Sequence, residues 1–180
     1  AHIGLASLLA SRIGQATPAA TQVIKVACET ALGQRPGMHI YGTDYPTADG
    51  TCVRDYIHVD DLARAHVDAL HYLEDGGAPT VLNCGYGHGH SVREVVDTVR
   101  RVTGIDFRVE DAPRRPGDPS TMVASNRRIR DVLGWQPRHD DLEFIVRTAW
   151  HWEQRLHACG GPAAFDRSLA AAPSSQTAVR

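Results

Sequence analysis

The sequence lacks several features that mark common classes of protein. Its four cysteines, Cys28, Cys52, Cys84 and Cys159, are widely spaced and form no CxxC pair. This spacing argues against a zinc site and a disulfide framework, and it favours reduced thiols in the cytoplasm. The apolar opening, residues 1–10, is too short to span a bilayer and follows no basic region. We therefore expect no metal site, no membrane partner and no secretion signal.

An excess of positive charge is also absent. The formal net charge of the 180 residues is -2, whereas a general binder of nucleic acid or anionic membranes needs a clustered positive field. Lys25 is the only lysine, and the other Lys/Arg cations are all arginine. Arginine suits bidentate binding of phosphate and carboxylate. Codon bias explains the excess of arginine over lysine more simply than a function does. Only arginines within motifs therefore indicate a function.

The sequence does contain enough apolar residues for a core, with 42% hydrophobic and 22% charged content. Short strand patterns alternate with helical patterns, which predicts an α/β or α+β layer with too few strands for a complete doubly wound sheet. Helices are predicted at about 23–32, 60–73, 92–102, 126–133 and 140–156, and strands at 38–41, 80–83 and 107–109.

Three capping signals accompany the predicted helices. Asp60 or Asp61 is well placed to cap the helix that runs to about residue 73. Ser91 and Glu94 have the spacing of a capping box, in which each side chain satisfies an orphan backbone donor. Ser125 can cap the short helix that ends at Gly134.

A glycine-rich loop, GYGHGHS at residues 85–91, has two explanations. Glycines at a helix start can let backbone donors approach a phosphate. However, His90 stands where a dinucleotide fingerprint needs its third small residue, and a strand-to-helix turn with positive φ explains the glycines more simply. His88 and His90 have no acidic or cysteine partner at metal-binding spacing, so a surface pair is the better explanation.

Two segments place arginine beside an acid outside any helical or strand stripe. They are Arg54 with Asp55, and the loop RRPGD at residues 114–118. Arginines that converge from distant segments can clamp a pyrophosphate, while a nearby carboxylate accepts hydrogen bonds from sugar hydroxyls. A structural Arg–Asp ion pair is an equally good explanation, because spacing alone cannot show convergence.

Together these motifs resemble those of a known family. DYPTADGTCVRDYIHVDDLARAHVDAL at residues 44–70 is followed by NCGYGHGHSVREVV, APRRPGDP and LGWQP. The order and spacing are similar to the second half of the UDP-glucose 4-epimerases, which are extended short-chain dehydrogenases. The resemblance covers residues 12–156 and implies the C-terminal, substrate-binding part of an extended Rossmann-type α/β fold, truncated at its N-terminus.

The resemblance implies that this part binds the UDP of a UDP-sugar. Arg54, in VRDYIHV, matches a family arginine that holds the UDP phosphates, and Arg115 matches a second one. Asp118 matches the acid that binds the ribose hydroxyls.

The remaining substrate contacts are also implied by position. Tyr41 matches an aromatic residue that lies against uracil, and His39 and Ile40 belong to the same backbone-contact strand. Gln22 and Val23 match a polar–apolar pair that touches the substrate, where the family often has Asn.

One further position concerns the sugar. Met122 matches the residue that gates the 2-substituent, where a larger side chain disfavours an N-acetyl group. Methionine is flexible, so its effect on the gate is ambiguous.

The family's catalytic half has no counterpart in these residues. In the family, NAD binds a glycine fingerprint and accepts hydride from the sugar, and a Tyr-x-x-x-Lys pair handles the proton. Here Lys25 follows Thr21 at that spacing, and no such fingerprint exists. We therefore expect no catalytic residue and no NAD site in this chain, UDP-sugar binding without turnover, an unrelated segment at 1–11 and a disordered tail at 157–180. The intact parent is expected to form homodimers.

Three hypotheses follow from these observations. The first is part of an enzyme that interconverts UDP-glucose and UDP-galactose. The second is part of a sister enzyme, such as a UDP-pentose 4-epimerase, a dehydratase or a decarboxylase. The third is a noncatalytic UDP-sugar-binding protein or a relic.

Overall fold

A computed structural model describes residues 14–17 and 19–161, and the backbone of residues 2–3. Its helices are α1 (Val23–Ala31), α2 (Val59–Glu74), α3 (Val92–Thr103), α4 (Arg127–Leu133) and α5 (Leu142–Ala158). Its strands are β1 (His2–Ile3), β2 (Met38–Tyr41), β3 (Val53–Arg54), β4 (Tyr56–Ile57), β5 (His90–Ser91), β6 (Val109–Ala112) and β7 (Thr121–Met122). Among the described helices, none is both long and apolar enough to cross a membrane.

The strands form three small sheets, which agrees with the predicted α/β class. β1 pairs with β4 in parallel, and β2 pairs with β6 in parallel, with Tyr41 opposite Ala112. β3 lies between β5, to which it is antiparallel, and β7, to which it is parallel. Arg54 lies opposite Met122 in that register. The β2–β6 and β5-β3-β7 sheets therefore carry segments that are distant in sequence.

The core forms where α1, α3 and α5 pack together. Val95, Val96 and Val99 on α3 are fully or almost fully buried, as are Ile145 and Val146 on α5. Both groups recur at the three- and four-residue spacing of one helix face, and they lie in helices that the sequence predicts. Burying an apolar side chain of this size contributes roughly 1.5–3 kcal/mol.

The helix starts show which capping signals were informative. The Ser91 hydroxyl accepts from the Glu94 amide at 3.0 Å, and the Glu94 carboxylate accepts from the Ser91 amide at 2.6 Å, so the capping box is confirmed. The prediction for α2 was wrong: His58 is its N-cap, with Nδ1 accepting from the Asp60 amide at 3.2 Å. The prediction of Ser125 for α4 was also wrong, since Asn126 is the N-cap; its side chain makes no capping bond and instead donates to the Gly85 carbonyl at 3.0 Å.

Asp61 joins α2 to the segment before α5 instead of capping its own helix. It is fully buried and accepts from the amides of Arg138 and His139, the latter at 2.8 Å. The Tyr86 hydroxyl donates to the same carboxylate at 2.9 Å. A buried carboxylate is tolerated when such donors surround it. The second aspartate of the HVDDL motif is therefore a structural residue.

Two predicted strands differ from the structure. Residues 80–83 form no strand, and Val81 is 81% exposed. A β-pattern needs a neighbouring strand to form a ladder, and this segment has none among the described residues. The strand predicted at 107–109 begins only at Val109, where the pairing with β2 starts.

The chain ends gave a further difference. α5 continues to Ala158 and is capped by Cys159. Its last two residues therefore lie in the segment 157–180, for which we expected disorder. Residues 162–180 of that segment, and most of residues 1–11, lie outside the described residues.

Replacing Asp61 with Asn should destabilise the fold because an amide nitrogen would face backbone donors. We expect Asp61→Asn to lower the free energy of unfolding by about 2 kcal/mol or more. Asp60→Asn is the matched control: its side chain is partly exposed, and we expect a loss below about 1 kcal/mol. Urea denaturation measures both, and equal losses would show that Asp61 is not a buried structural hub.

His58 should make stability depend on pH. Burial lowers its pKa in the folded state, while Asp60 opposes this shift. The unfolded chain therefore binds the proton first, and stability is complete above about pH 6.5 and decreases as the pH falls toward the lower folded pKa. Below the unfolded pKa the contribution is at most about 1.4 kcal/mol per pH unit.

The control for this effect is His58→Asn, which keeps a capping acceptor without a titratable ring. Unfolding free energies at pH 7.5 and 5.5 should differ more for the original chain than for the variant. Parallel pH profiles would contradict the assignment to His58.

Candidate functional site

A cavity of about 370 Å³ lies between the start of α1, β2, β3 and the loop before β7. This volume is within the usual range for small-molecule sites, roughly 300–1,000 Å³. Six of the nine predicted site residues line it: Val23, His39, Tyr41, Arg54, Arg115 and Asp118. The structure thus brings together residues from four separate segments of the chain.

Arg54 is the buried cation of this cavity. It is only 6% exposed, and its Nη1 donates to the Val53 carbonyl at 2.7 Å. Its Nη2 donates to Oδ1 of Asp118, 64 residues later in the chain. The two explanations drawn from the sequence are therefore compatible, because the ion pair exists and it lies on the cavity wall.

Arg115 lines the cavity from the loop between β6 and β7. Its guanidinium lies 3.8 Å from the centre of the Tyr41 ring, a cation–π arrangement. His39 and Tyr41 project from the same face of β2, since side chains alternate along a strand. The cavity thus offers a second cation, an aromatic ring and the carboxylate of Asp118.

The loop that carries Arg115 is held by the DYPT turn. The Tyr45 hydroxyl donates to the Asp118 carbonyl at 3.3 Å, and burial raises the pKa of Tyr45, which keeps this donor protonated. Arg114 Nε contacts Asp44 Oδ1 at 2.6 Å, and its guanidinium lies 4.1 Å from the Tyr45 ring centre. The hydrogen bond from Arg114 lowers the pKa of Asp44. Sequence reasoning missed this anchor, because it depends on contact between segments 70 residues apart.

The three other predicted residues do not line the cavity. Ile40 is 1% exposed, and its side chain packs in the core. The Gln22 side chain accepts from Gln15 at 3.0 Å. Met122 is 51% exposed, opposite Arg54 on β7. Their substrate roles stay predictions.

The cavity also has lining residues that sequence reasoning missed. Arg35 is part of the wall, together with Ala20 and Thr21. Arg35 precedes β2 in a turn, and an arginine in the short segment before the predicted substrate strand is the one sequence signal that would have indicated it.

The glycine-rich loop is close-packed against the protein itself. A Cβ atom on Gly85 would lie 2.5 Å from the Asp55 carboxylate, and one on Gly89 would lie 2.7 Å from the Val53 side chain. Gly87 has a φ of 84°, which favours glycine. The amides of Tyr86 and Gly87 donate to Asp55 at 3.0 and 3.2 Å. These donors are already used, so the turn does not fit the pyrophosphate of NAD.

The described histidines include one surface pair and one group that could be considered for a metal. His88 contacts Asp140 at 2.8 Å on the surface. His58, Asp60 and His139 bring possible ligand atoms within 4.8 Å of one another. However, Nδ1 of His58 accepts from the Asp60 amide and Nε2 lies 3.2 Å from the Thr148 hydroxyl, so both ring nitrogens are engaged.

Comparison with known proteins gives a consistent result. The UDP-glucose 4-epimerase of Azospirillum brasilense is 57% identical over 154 residues, which are 86% of this chain and 44% of that protein. The UDP-glucose 4-epimerase of Lacticaseibacillus casei is 46% identical over 79% of this chain and 43% of its own length. The chain therefore spans a little under half the length of these relatives.

Solved structures show the same partial match. The UDP-glucose 4-epimerase of Stenotrophomonas maltophila, with bound NAD and formylated UDP-arabinopyranose, is 35% identical with a TM-score of 0.82, covering 87% of this chain and 46% of that one. The UDP-Glc/GlcNAc 4-epimerase of Campylobacter jejuni is 48% identical with a TM-score of 0.72, covering 86% and 46%. The sequence pattern of the family described as GDP-mannose 4,6 dehydratase matches residues 10–148. The chain therefore belongs to this family of extended short-chain dehydrogenases.

Proposed function

We propose that this chain is the UDP-sugar-binding part of an NAD-dependent UDP-glucose 4-epimerase, an isomerase of galactose metabolism that interconverts UDP-glucose and UDP-galactose. The observation that carries the proposal is the convergence of Arg54, Arg115, Asp118 and Tyr41 on one cavity. The names of the relatives support the choice of reaction. The activity is a proposal because the chain spans less than half of each relative.

Arg54 and Arg115 would hold the pyrophosphate. A guanidinium presents donors in a planar fork that matches phosphate oxygens, and charge-assisted hydrogen bonds of this kind are the strong ones. Arg54 is already desolvated, so little water must leave it when a phosphate arrives. Its bond to Asp118 fixes the orientation of the fork, while that carboxylate has further lone pairs for the ribose hydroxyls.

The nucleobase would lie against the exposed edge of β2. Tyr41 is 37% exposed and offers a flat ring for uracil, and the backbone of His39 would supply polar groups beside it. Val23 adds an apolar contact from α1, and Gln22 adds a polar one if its side chain leaves Gln15. Arg115 lies over the Tyr41 ring and would therefore lie between the base and the phosphates.

Sugar selection is assigned to Met122. A long side chain at this position should disfavour an N-acetyl group, but a flexible thioether can also move aside. One relative is named a UDP-Glc/GlcNAc 4-epimerase, so both classes of UDP-hexose belong in any substrate assay.

The chemistry of the intact enzyme would require NAD. Neither a Tyr-x-x-x-Lys pair nor a glycine fingerprint occurs in the 180 residues, and the glycine-rich turn is filled by Asp55. We propose that the chain by itself binds UDP-sugars without turning them over, and that the intact parent is a homodimer. A cytoplasmic location is part of the proposal, and the four free cysteines support it.

Replacing Arg54 with Ala should remove the contribution of the phosphates to affinity. We expect UDP to bind about 30-fold more weakly or worse, because a charge-assisted hydrogen bond is worth about 1.5–3 kcal/mol. Uridine, which has no phosphate, should lose much less. Calorimetric titration with both ligands measures the ratio. Arg147→Ala, at an exposed ion pair with Glu143, is the control, and an unchanged UDP-to-uridine ratio for Arg54→Ala would refute the phosphate role.

Replacing Asp118 with Asn should change recognition of the ribose. The original chain should prefer UDP over 2′-deoxy-UDP by about tenfold, since a lost hydrogen bond to a charged group leaves an acceptor unpaired. Asp118→Asn should reduce this preference to about threefold or less. Asp111→Asn, at an exposed position of β6, controls for the loss of charge. Retention of the full preference in Asp118→Asn would contradict the assignment.

A further inference from the structure

The one lysine of the sequence is buried in an ionic network next to the cavity. Lys25 on α1 is 1% exposed, and its Nζ lies 2.6 Å from Oε1 of Glu153 on α5. The same ammonium lies 3.1 Å from Oε1 of Glu29 and 3.3 Å from the Gln15 carbonyl. Each of these contacts pairs the buried ammonium with an oxygen atom, which offsets the cost of removing it from water.

The network continues from Glu29 to the cavity wall. The second carboxylate oxygen of Glu29, Oε2, accepts from Nε of Arg35 at 2.6 Å. Nη2 of Arg35 then donates to the Ala20 carbonyl at 2.9 Å. A continuous series of charged contacts therefore joins Glu153 on α5 to a residue that lines the cavity.

The part of the cavity wall at residues 19–21 has an irregular backbone, so side chains from other elements must fix its shape. Residues 19–21 line the cavity and belong to neither a helix nor a strand. Ala19 has a φ of 53°, in the left-handed region that costs a residue with a Cβ about 1–2 kcal/mol. The bond from Arg35 to the Ala20 carbonyl reaches this segment directly, while Lys25 bonds the Gln15 carbonyl, four residues before it.

We propose that Lys25, Glu29, Arg35 and Glu153 are a positioning network that fixes the 19–21 wall in the shape that accepts the nucleotide. This inference rests on the proposed function of the cavity. None of the four is assigned to catalysis. A role in stability alone is the competing explanation, and buried ion pairs are often replaceable by neutral groups without loss of stability.

Two variants interrupt the network at its two ends. Lys25→Met with Glu153→Gln removes both charges of the closest contact, so the double variant should be far more stable than Lys25→Met alone. Arg35→Met breaks the last link of the network at a side chain that is 32% exposed. Arg147→Met is the control, because Arg147 contacts an exposed glutamate on α5.

Two measurements then test the inference. Hydrogen exchange of the ligand-free protein should show the amide of Ala20, the buried residue of the wall, exchanging about tenfold faster in Arg35→Met and in the double variant, with the α3 amides unchanged. Calorimetric titration with UDP should show about tenfold weaker binding in both, and combining them should weaken binding no further, because they act through one wall.

The outcomes separate this inference from the function it rests on. If the original chain does not bind UDP but the variants loosen the wall, the positioning network stands and the proposed function fails. If the original chain binds UDP and the folded variants bind it equally well, the inference is overturned. Unchanged exchange of the Ala20 amide overturns it as well, and so does an additive loss of affinity in the combined variant.

Discussion

The contact between Arg54 and Asp118 is the interaction on which the candidate site depends. A guanidinium that is almost completely buried needs a carboxylate partner, since an isolated buried charge would cost several kcal/mol. The partner comes from a loop 64 residues later. The ion pair therefore holds β3 against the loop that carries Asp118, and these two segments form one wall of the cavity.

The surrounding structure holds those two segments in place. On one side, β3 lies between β5 and β7, and Asp55 beside it binds the amides of the glycine-rich turn. On the other side, Tyr45 donates to the backbone of Asp118, and Arg114 contacts Asp44. In VRDYIHV and in RRPGD, one arginine, Arg54 or Arg115, lines the cavity. The residues beside them, Asp55 and Arg114, hold the neighbouring loops.

The sequence predicted what depends on local order and missed what depends on distant contacts. The capping box of Ser91 needed only four consecutive residues and was found. His58 was missed as a cap because its ring is fixed by Thr148 on α5, 90 residues away. Residues 80–83 have a strand pattern but no neighbouring strand among the described residues. The resemblance named six residues that line the cavity, yet no spacing rule could show that Tyr45 holds their loop.

The most direct test of the central claim is a crystal structure of this chain with UDP. The account predicts the pyrophosphate between Arg54 and Arg115, the ribose hydroxyls at Asp118 and the uracil against Tyr41. UDP bound at another surface, or at this cavity with its phosphates away from both arginines, would contradict it.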